Sequence, residues 1–300
     1  MEKNMKGRAY VIILNYNGWQ DTLECIDSVL KSDYPSFEIV VCDNASNNES
    51  VSKINSWIKE KNVADRVKLI SIEKNRGFSA GNNRGIKYAI AQGDCEYLWI
   101  LNNDTVVDKS ALSKMIDKSQ NSNCDGVGSC LLNYNRPEIL QGVGGRMDLE
   151  NFDTYEIEHE VNIKDLKEGL RIDILPGASF LITRKVIDKT GLFDEDYFLY
   201  CEELELAHRI RKMGMELCYA TDSYTFHKGG QSTGKYGSSF RDYHLTRSWT
   251  LFVFKHYPEH YDNLHKLNRK IIKKRLKHFH IKRAWAVYSG ERDARKLLGR

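Results

Sequence analysis

The first 120 residues repeat one pattern four times: a short apolar run, a polar turn and an amphipathic stretch. The apolar runs occupy residues 10–14, 37–42, 67–72 and 97–101, and each leads into a turn rich in Asn, Asp or Gly. Continuous apolar runs are typical of parallel strands buried on both faces, and their alternation with helices predicts an α/β fold. We therefore expect a Rossmann-like, mostly parallel sheet with helices on both faces. Ligands of such sheets bind beyond the carboxyl ends of the strands, where these polar turns fall.

The pattern loosens after residue 120. Residues 121–175 carry several Gly and acidic side chains with little periodicity, which predicts short strands and a mobile loop. Further on, the sequence predicts a strand at 180–183, a helix from Glu202 to Met213, and strands near 215–220 and 223–227. From Phe240 to the end the chain reads as helical.

Length and composition limit the classes of protein that fit. Three hundred residues with 41% hydrophobic content suffice for one large domain, or for a domain with an appendage. No apolar run reaches the length of a membrane span and the first residues lack a secretory signal, so we expect a cytoplasmic protein. Seven scattered Cys without a Cys-x-x-Cys pair predict neither a disulfide framework nor a zinc site, and we expect them to be reduced.

The last 40 residues differ in charge from the rest. They hold 13 Lys and Arg against 3 Asp and Glu, whereas residues 1–260 hold 32 against 38. Large apolar residues recur among these bases at roughly helical spacing: Leu264, Leu267, Ile271, Ile272, Leu276, Phe279 and Trp285. Such a basic amphipathic segment either lies on an anionic membrane surface or packs back on the domain with a solvated basic face. Nucleic acid is not expected as a partner, because the rest of the chain is acidic and shows no nucleic-acid module.

Two strand ends carry candidate metal ligands. Asp104 follows the apolar run 97–101, where a carboxylate can bind a hard cation such as Mg²⁺ or Mn²⁺. The alternative is a polar turn that precedes a helix capped by Asp108 and Ser110. His227 ends another predicted strand and is a second candidate ligand, although a single strand-end His is more often structural.

Three further clusters carry polar groups suited to a nucleotide or to proton transfer. Asp43 follows a buried run and can accept hydrogen bonds from a ribose or a pyrimidine, unless it only caps the next helix. Residues 75–83 combine a Gly-rich turn, Arg76 and a helix start, which favours anions. Acids at 202, 203 and 205 fall at a helix start, where neighbouring carboxylates raise a pKa and the helix dipole lowers it. The sequence leaves the balance between these two effects open.

These segments, taken in order over residues 8–257, resemble the bacterial glycosyltransferase family 2 pattern, including rhamnosyl- and galactofuranosyltransferases of surface polysaccharide assembly. The matching segments are Val-Ile-Ile-Leu-Asn-Tyr-Asn-Gly at 11–18, Val-Cys-Asp-Asn-Ala-Ser at 41–46, Asn-Arg-Gly-Phe-Ser-Ala-Gly-Asn-Asn at 75–83, Leu-Asn-Asn-Asp-Thr at 101–105, Pro-Gly-Ala-Ser at 176–179, Gly-Leu-Phe-Asp-Glu-Asp-Tyr-Phe-Leu-Tyr at 191–200 and His-Lys-Gly-Gly at 227–230. Each segment is weak alone, but seven in order are specific.

The resemblance implies a GT-A fold over residues 1–257, followed by a basic helical tail at 258–300. It implies a nucleotide-sugar-binding half at 1–120 and an acceptor-binding half at 121–257. It also implies that Asp104 closes a metal site in which Asn102 replaces the usual first acid, with His227 as a second ligand. The acidic motif of the family falls on residues 202–205, so Glu203 takes the role of catalytic base at a position that is normally Asp.

The same resemblance assigns the nucleotide pocket. Asp43 is implied to recognise the pyrimidine base, and the remaining expected pocket residues are Asn15, Tyr16, Arg76, Gly77, Asn83 and Asn103. The implied activity is inverting transfer of a sugar, with rhamnose as the first choice, from a thymidine- or uridine-linked diphosphate donor to a glycan or polyprenyl-linked acceptor. Galactofuranosyl or other hexosyl transfer, a sugar nucleotidylyltransferase, and a catalytically silent nucleotide-sugar-binding scaffold remain alternatives.

Overall fold

A computed structural model describes residues 7–229 and 237–299. Its first part contains the four expected strands and the three helices between them: β1 (Arg8–Asn15), α1 (Trp19–Leu30), β2 (Phe37–Asp43), α2 (Ser50–Glu60), β3 (Val67–Ser71), α3 (Phe78–Ala91) and β4 (Cys95–Asn102). These four strands run parallel in the order β3, β2, β1, β4. The predicted α/β class and the mostly parallel arrangement of this half are confirmed.

The second part extends the same sheet. It comprises β5 (Thr105–Val107), α4 (Ala111–Ser122), β6 (Gly126–Asn133), β7 (Arg136–Gly142), β8 (Gly145–Asp148), β9 (Asp153–Glu156), a 3-10 turn (Ile163–Asp165), β10 (Ser179–Thr183), α5 (Arg184–Thr190), α6 (Glu202–Lys212) and β11 (Leu217–His227). Beyond β4 the sheet continues β10, β6, β11, β5, with β7 paired to β6 and the hairpin β8–β9 separate. The two strands predicted between 215 and 227 are one strand, β11, interrupted by a register shift between Ala220 and Tyr224.

Apolar side chains fill both faces of the sheet. One core lies between the sheet and α1, α2 and α4, and includes Trp99 with no exposed surface. The other lies between the sheet and α3, α5 and α6, and includes Phe180. Burial on both faces explains why the strands read as continuous apolar runs. It also leaves the ends of the strands as the places where polar side chains can gather.

Helices complete the chain: α7 (Gly237–His256), a 3-10 turn (Pro258–His260), α8 (Tyr261–Lys277) and α9 (Ile281–Leu297). The tail is thus a pair of helices, and α9 packs along α7. At Gly290 the approach is so close that a Cβ would lie 2.5 Å from the carbonyl oxygen of Tyr243. Leu264 and Ala294 share a buried cluster with Trp249. Within residues 7–229 and 237–299, no helix combines the length and apolar character needed to cross a bilayer.

One expectation about cysteine is wrong. The structure pairs Cys124, which follows α4, with Cys218 in β11 as a disulfide. The two residues are 94 positions apart, and the pairing arises because β11 lies beside β6, so their spacing in sequence gave no sign of it. The five other cysteines are free and buried, as expected: Cys25, Cys42, Cys95, Cys130 and Cys201.

Candidate active site

Pairing between β5 and β11 brings Asp104 and His227 together. Asp104 lies in the turn from β4 to β5, and the antiparallel register places Thr105 opposite His227. The amide of Lys228 donates to the carbonyl oxygen of Asp104 at 3.0 Å, which fixes this end of the two strands. As a result His227 Nε2 lies 3.4 Å from Asp104 Oδ1, with only 17% and 9% of the two side chains exposed.

Gln141, at the end of β7, orients His227. Its amide nitrogen donates to the carbonyl oxygen of His227 at 2.8 Å, so its Oε1 faces His227 Nδ1, also at 2.8 Å. Because that oxygen only accepts, Nδ1 donates this hydrogen bond, and in the neutral ring Nε2 then carries the lone pair that can bind a metal. A polar partner that fixes the tautomer in this way is typical of metal-binding His. Sequence reasoning missed Gln141, because it lies in the segment with little periodicity.

The donor set of this pair fits a divalent cation that keeps most of its positions for other ligands. Two ligands at about 2.1 Å from one octahedral ion lie about 3 Å apart, close to the observed separation of Asp104 Oδ1 and His227 Nε2. Among the described residues no group of three or more His, Cys, Asp or Glu could hold a metal ion. A cation at this pair would therefore need substrate oxygens or water to complete its coordination. Metal binding at Asp104 and His227 stays a prediction.

Glu203 lies in the first turn of α6, reached through a strained backbone. Tyr200 and Cys201 both adopt positive φ angles, 68° and 64°, which are uncommon for residues with a side chain. The Glu203 side chain lines a cavity of about 100 Å³ together with Pro176, Gly177 and Gln141. A Cβ on Gly177 would lie 3.1 Å from Glu203 Oε1, so the absence of a side chain there makes room for the carboxylate.

Gln141 connects the two acidic parts of the site. It bonds His227 on one side and lines the Glu203 cavity on the other. Gln141 thus adjoins both parts, whereas neither Asp104 nor His227 is among the described residues that line the Glu203 cavity. None of the three assigned roles is tested by this proximity alone.

The three acids at the start of α6 have different surroundings. Burial raises the pKa of Glu203, and it raises the pKa of Glu202 well above its usual range, with the neighbouring Glu203 charge adding to the effect. Glu202 Oε2 is buried and has no hydrogen-bond partner among the described residues. Burial also acts on Glu205, but hydrogen bonds from His256 and Arg209 outweigh it and lower the pKa. At positions 202 and 203 burial therefore affects the pKa more than the helix dipole does, a balance that the sequence left open.

The ends of β1, β2 and β4 share a buried polar network. Asn15 Nδ2 donates to Asp43 Oδ2 at 2.6 Å, and Ser46 Oγ donates to the same oxygen at 2.6 Å. Asn103 Nδ2 donates to Thr22 Oγ1 at 3.0 Å, and that hydroxyl bonds Asn15 Oδ1 at 2.8 Å. This network sets Asn15, Asp43 and Asn103 beside Asp104 at one edge of the sheet. Tyr16 follows Asn15 and is partly exposed.

The turn at 75–83 contacts a different segment. Gly77 has a φ of 96°, and a Cβ there would overlap the backbone of Phe198. Asn83 is 1% exposed, and both ends of its amide bond the backbone of Phe193, at 2.9 and 3.0 Å. Arg76 is largely exposed and pairs with Glu195 at 3.6 Å. These contacts give Gly77 and Asn83 a structural task, holding α3 to the segment before α6, while their predicted contact with a nucleotide stays a prediction.

Nearby polar atoms without partners mark where the network is incomplete. Asn44 Oδ1, Ser79 Oγ and Asn82 Oδ1 are buried and unbonded among the described residues. Buried polar atoms of this kind are uncommon, and each of these can bond a bound group or water. Their positions, after β2 and in the first turn of α3, place this unused capacity on the same sheet edge as Asp43. The predicted motif segment 227–230 reaches this edge as well, but Gly230 lies outside the described residues.

A model of the family described as Glycosyl transferase family 2 matches residues 10–191, which is more than half of the chain. The low-salt glycan biosynthesis hexosyltransferase Agl10 of Haloferax volcanii is 23% identical over 81% of this chain and 74% of its own length. The dTDP-rhamnosyl transferase RfbF of Shigella flexneri is 20% identical over 77% of this chain and 72% of its own.

Solved structures share the architecture. GalNAc-T7, solved with UDP, GalNAc and Mn²⁺, superposes with a TM-score of 0.63 at 21% identity, over 84% of this chain and 48% of its own. This chain therefore spans about half the length of that structure. At such identity the likeness concerns the fold, and the mixed α/β sheet described above is that of the GT-A glycosyltransferases.

Proposed function

The chain belongs to glycosyl transferase family 2, and from this premise we propose that it transfers a sugar from a nucleotide-diphosphate donor to a hydroxyl of a glycan or lipid-linked acceptor, with inversion. The observation that supports this most is the contact between Asp104 and His227, which Gln141 links to the cavity lined by Glu203. A paired cation ligand set on one side and a carboxylate on the other are what donor activation and acceptor deprotonation need.

For the donor, we propose a thymidine- or uridine-linked sugar with rhamnose as the first choice. RfbF is named for dTDP-rhamnosyl transfer, which supports this choice, while Agl10 is named only as a hexosyltransferase. Galactofuranosyl or another hexosyl transfer is the alternative within the family. On the protein side, Asn15, Asp43 and Asn103 share the buried network at the sheet edge and are proposed to hold the nucleoside.

For the cation, we propose that Asp104 and His227 hold Mg²⁺ or Mn²⁺. GalNAc-T7 is a structural neighbour solved with Mn²⁺. The ion, when bound, would neutralise negative charge on the diphosphate as the glycosidic bond breaks. Gln141 bonds His227 Nδ1 and so leaves Nε2 as the ligand atom of the neutral ring, and the β5–β11 pairing keeps the two ligand atoms 3.4 Å apart.

For proton transfer, we propose that Glu203 accepts the proton of the acceptor hydroxyl. Burial raises the pKa of this carboxyl, which makes it a better proton acceptor than an exposed Glu. Attack by the hydroxyl on the face opposite the leaving nucleotide inverts the anomeric centre. The cavity that Glu203 shares with Gly177 would admit the end of the acceptor.

The first experiment measures nucleotide binding and turnover together. A thermal-shift panel of nucleoside diphosphates with Mn²⁺ should identify one base, and the matching sugar donor should release its nucleoside diphosphate on addition of a glycan acceptor. Asp104→Asn should weaken cation-dependent nucleotide binding in calorimetry by at least about tenfold, since it removes a charged ligand. Asp262→Asn, an exposed acid of α8, is the matched control. Binding that is unchanged in Asp104→Asn would contradict the metal assignment, and donor binding without any turnover would favour the silent scaffold.

For cellular position, we propose the cytoplasmic face of the membrane, with peripheral contact through residues 258–300. The excess of Lys and Arg in this segment supports attraction to anionic lipid. Since α9 packs along α7, truncation at residue 260 would expose apolar surface of α7 and is unsuitable as a test. Point substitutions on the exposed side of α8 and α9 serve instead.

A further inference from the structure

An open cleft of about 570 Å³ lies between α8 and α9. Five cationic side chains line it: Arg269 and Lys273 from α8, and Arg292, Arg295 and Lys296 from α9. Like charges this close repel one another, and a cleft with charges of one sign raises the local concentration of the opposite ion. The arrangement therefore favours an anion between the two helices.

Most of these cations lack an acidic partner. Arg269, Lys273, Arg295 and Lys296 make no ion pair with any other residue in the described parts of the chain, and Arg292 pairs only with the adjacent Asp293. Two arginines outside the cleft behave differently, since Arg275 and Arg283 both pair with Asp242 of α7. The paired arginines hold the helices together. The charges of the cleft are left to attract an anion from outside the chain.

The acid that lines the cleft is already occupied. Glu291 is 6% exposed, and its Oε1 accepts hydrogen bonds from Tyr261 Oη at 2.8 Å and from His265 Nδ1 at 2.7 Å. Asn268 Nδ2 donates to its other oxygen at 3.2 Å. These bonds connect α8 to α9 and fix the floor of the cleft. Glu291 thus carries a single negative charge against five positive ones and leaves the cleft strongly cationic.

Large apolar side chains surround the turn beside this cleft. Phe279 is 88% exposed, Ile281 67% and Trp285 61%. Trp285 lies 5.3 Å from the ring of Tyr288, which lines the cleft, and the guanidinium of Arg292 lies over the Trp285 ring at 5.9 Å. Exposed aromatic residues next to cations are typical of segments that enter the interface of a membrane. A soluble anion alone would give no reason for this apolar turn.

We propose that the cleft between α8 and α9 binds the phosphate headgroup of an anionic phospholipid, while Phe279, Ile281 and Trp285 enter the bilayer interface. This deepens the membrane contact proposed above by giving it a defined site, and it does not depend on the transferase chemistry. Charge complementarity favours a headgroup of net negative charge over a zwitterionic one, and the apolar turn favours a lipid over a free ion.

The test compares two variants that lose the same charge. Arg269→Gln with Arg295→Gln empties the cleft of two cations, whereas Lys270→Gln with Lys274→Gln removes two exposed cations that do not line it. The full chain is sedimented with vesicles of phosphatidylglycerol in phosphatidylcholine, and with phosphatidylcholine alone, without donor or acceptor. We expect both variants to lose partition to anionic vesicles and the cleft variant to lose about tenfold more than the control, because only general attraction is reduced in the control. Equal losses in the two variants would overturn the defined site.

Two further arms distinguish insertion of the apolar turn from binding of a free anion. Phe279→Ala with Trp285→Ala should also weaken partition, while binding that is indifferent to these residues would rule out their insertion. Inorganic phosphate is tested by thermal shift: stabilisation that needs Arg269 and Arg295, without vesicle binding, would assign the cleft to a free anion and overturn the lipid proposal. Thermal melting in buffer alone verifies that all variants fold. All arms measure binding or melting without donor and acceptor. A failure of vesicle binding therefore leaves the proposed transferase activity unaffected.

Discussion

The pair Asp104 and His227 and the acidic start of α6 are constructed in opposite ways. At the strand ends, Asp104 and His227 are held by sheet pairing, and Gln141 fixes the histidine tautomer through two hydrogen bonds of 2.8 Å. At the start of α6, Glu202 and Glu203 are adjacent carboxyls, and Glu202 has a buried oxygen without a partner among the described residues. The strand ends restrict the positions of the proposed ligand atoms, whereas the start of α6 raises the pKa of the carboxyls of Glu202 and Glu203.

This difference follows from what each part is proposed to do. A cation needs ligand atoms at fixed separation and unprotonated, which hydrogen bonds to neighbours provide. A general base needs a raised pKa, which burial and a like charge provide and which hydrogen-bond donors would remove. Glu205 illustrates the latter effect, because Arg209 and His256 lower its pKa within the same helix turn. Substitutions at the strand ends should therefore alter binding, and substitutions at the start of α6 should alter proton transfer or stability.

The largest effect is expected from Glu203→Gln. The amide keeps the shape of the side chain but cannot accept the acceptor proton, so turnover should fall by about 100-fold or more with nucleotide binding unchanged. Steady-state kinetics with calorimetric titration of the nucleoside diphosphate measures both. Glu203→Asp keeps a carboxylate, is the conservative control and should retain more turnover than the Gln variant.

The pH profile gives an independent check on the same residue. Burial raises the pKa of Glu203, so loss of kcat/KM on the acid side should occur at higher pH than for an exposed Glu. In Glu203→Gln the residual activity should lose this acid limb. Near-normal turnover in the Gln variant would remove Glu203 from the mechanism.

A smaller effect, on metal affinity, is expected from Gln141→Leu. Without an acceptor for Nδ1–H, His227 is free to change tautomer, and the Mn²⁺ concentration at half-maximal activity should rise about 10- to 100-fold, as for other partners of ligating His. Activity at saturating Mn²⁺ should fall less. Gln141→Glu keeps an acceptor at this position and should restore most of the affinity. An unchanged Mn²⁺ requirement in the Leu variant would mean that His227 does not act as a ligand.

Some of these features can be predicted from the sequence, and others cannot. Asp104 and His227 could each be identified as strand-end residues, since an apolar run precedes Asp104 and the β-prone segment Ser-Tyr-Thr-Phe precedes His227. Their contact depends on the pairing of β5 with β11, more than 100 residues apart in sequence, which local patterns do not encode. The sequence predicts short strands in residues 121–175 but does not locate β6 among them. Gly126 and Gly128 weaken its strand signal, yet Gly128 is needed because a Cβ there would meet the Pro176 ring at 2.5 Å.

The tail shows a second limit of the sequence pattern. The large apolar residues indicated the amphipathic stripe, but Phe279 and Trp285 are exposed in the structure. The face that α9 buries is made of small residues, which include Ala286, Gly290 and Ala294. Small residues allow helices to approach closely, so they carry packing without a strong hydrophobic signal. Of the two alternatives predicted for the tail, the structure shows packing, with α9 lying against α7. The exposed turn between α8 and α9 is the part proposed to contact a membrane.

A still smaller effect is expected from Gly177→Ala. Its Cβ would lie 3.1 Å from Glu203 Oε1, tighter than ordinary contact, so the carboxylate must shift by a few tenths of an ångström. Displacement of a catalytic group by about 1 Å costs about 100-fold, so a shift of this size should reduce turnover by about tenfold or less. Nucleotide binding should not change, because Gly177 lines the Glu203 cavity. A defect in binding instead of turnover would contradict the division between the two parts.

The smallest effect, and one on stability only, is expected from Glu202→Gln. The folded-state pKa of Glu202 is raised well above its usual range by burial and by Glu203, so the folded protein binds more protons than the unfolded chain between the two pKa values. Stability is therefore lost as pH rises through this interval, and the Gln variant avoids that loss. We expect its melting temperature to match that of the parent near pH 4 and to exceed it by about 2 °C at pH 8, on the scale of about 1 kcal/mol for a domain this large.

Glu205→Gln gives the opposite result on the same helix. Its pKa is lowered on balance because hydrogen bonds from His256 and Arg209 outweigh burial, so its contribution is present above the unfolded pKa and is lost as pH falls. The Gln variant should therefore melt below the parent at pH 8, and the difference should shrink in acid. Differential scanning calorimetry between pH 4 and pH 8 follows both variants. If both shifted the melting temperature in the same direction across this range, the contrast between an unpartnered acid and an ion-paired one at the start of α6 would be wrong.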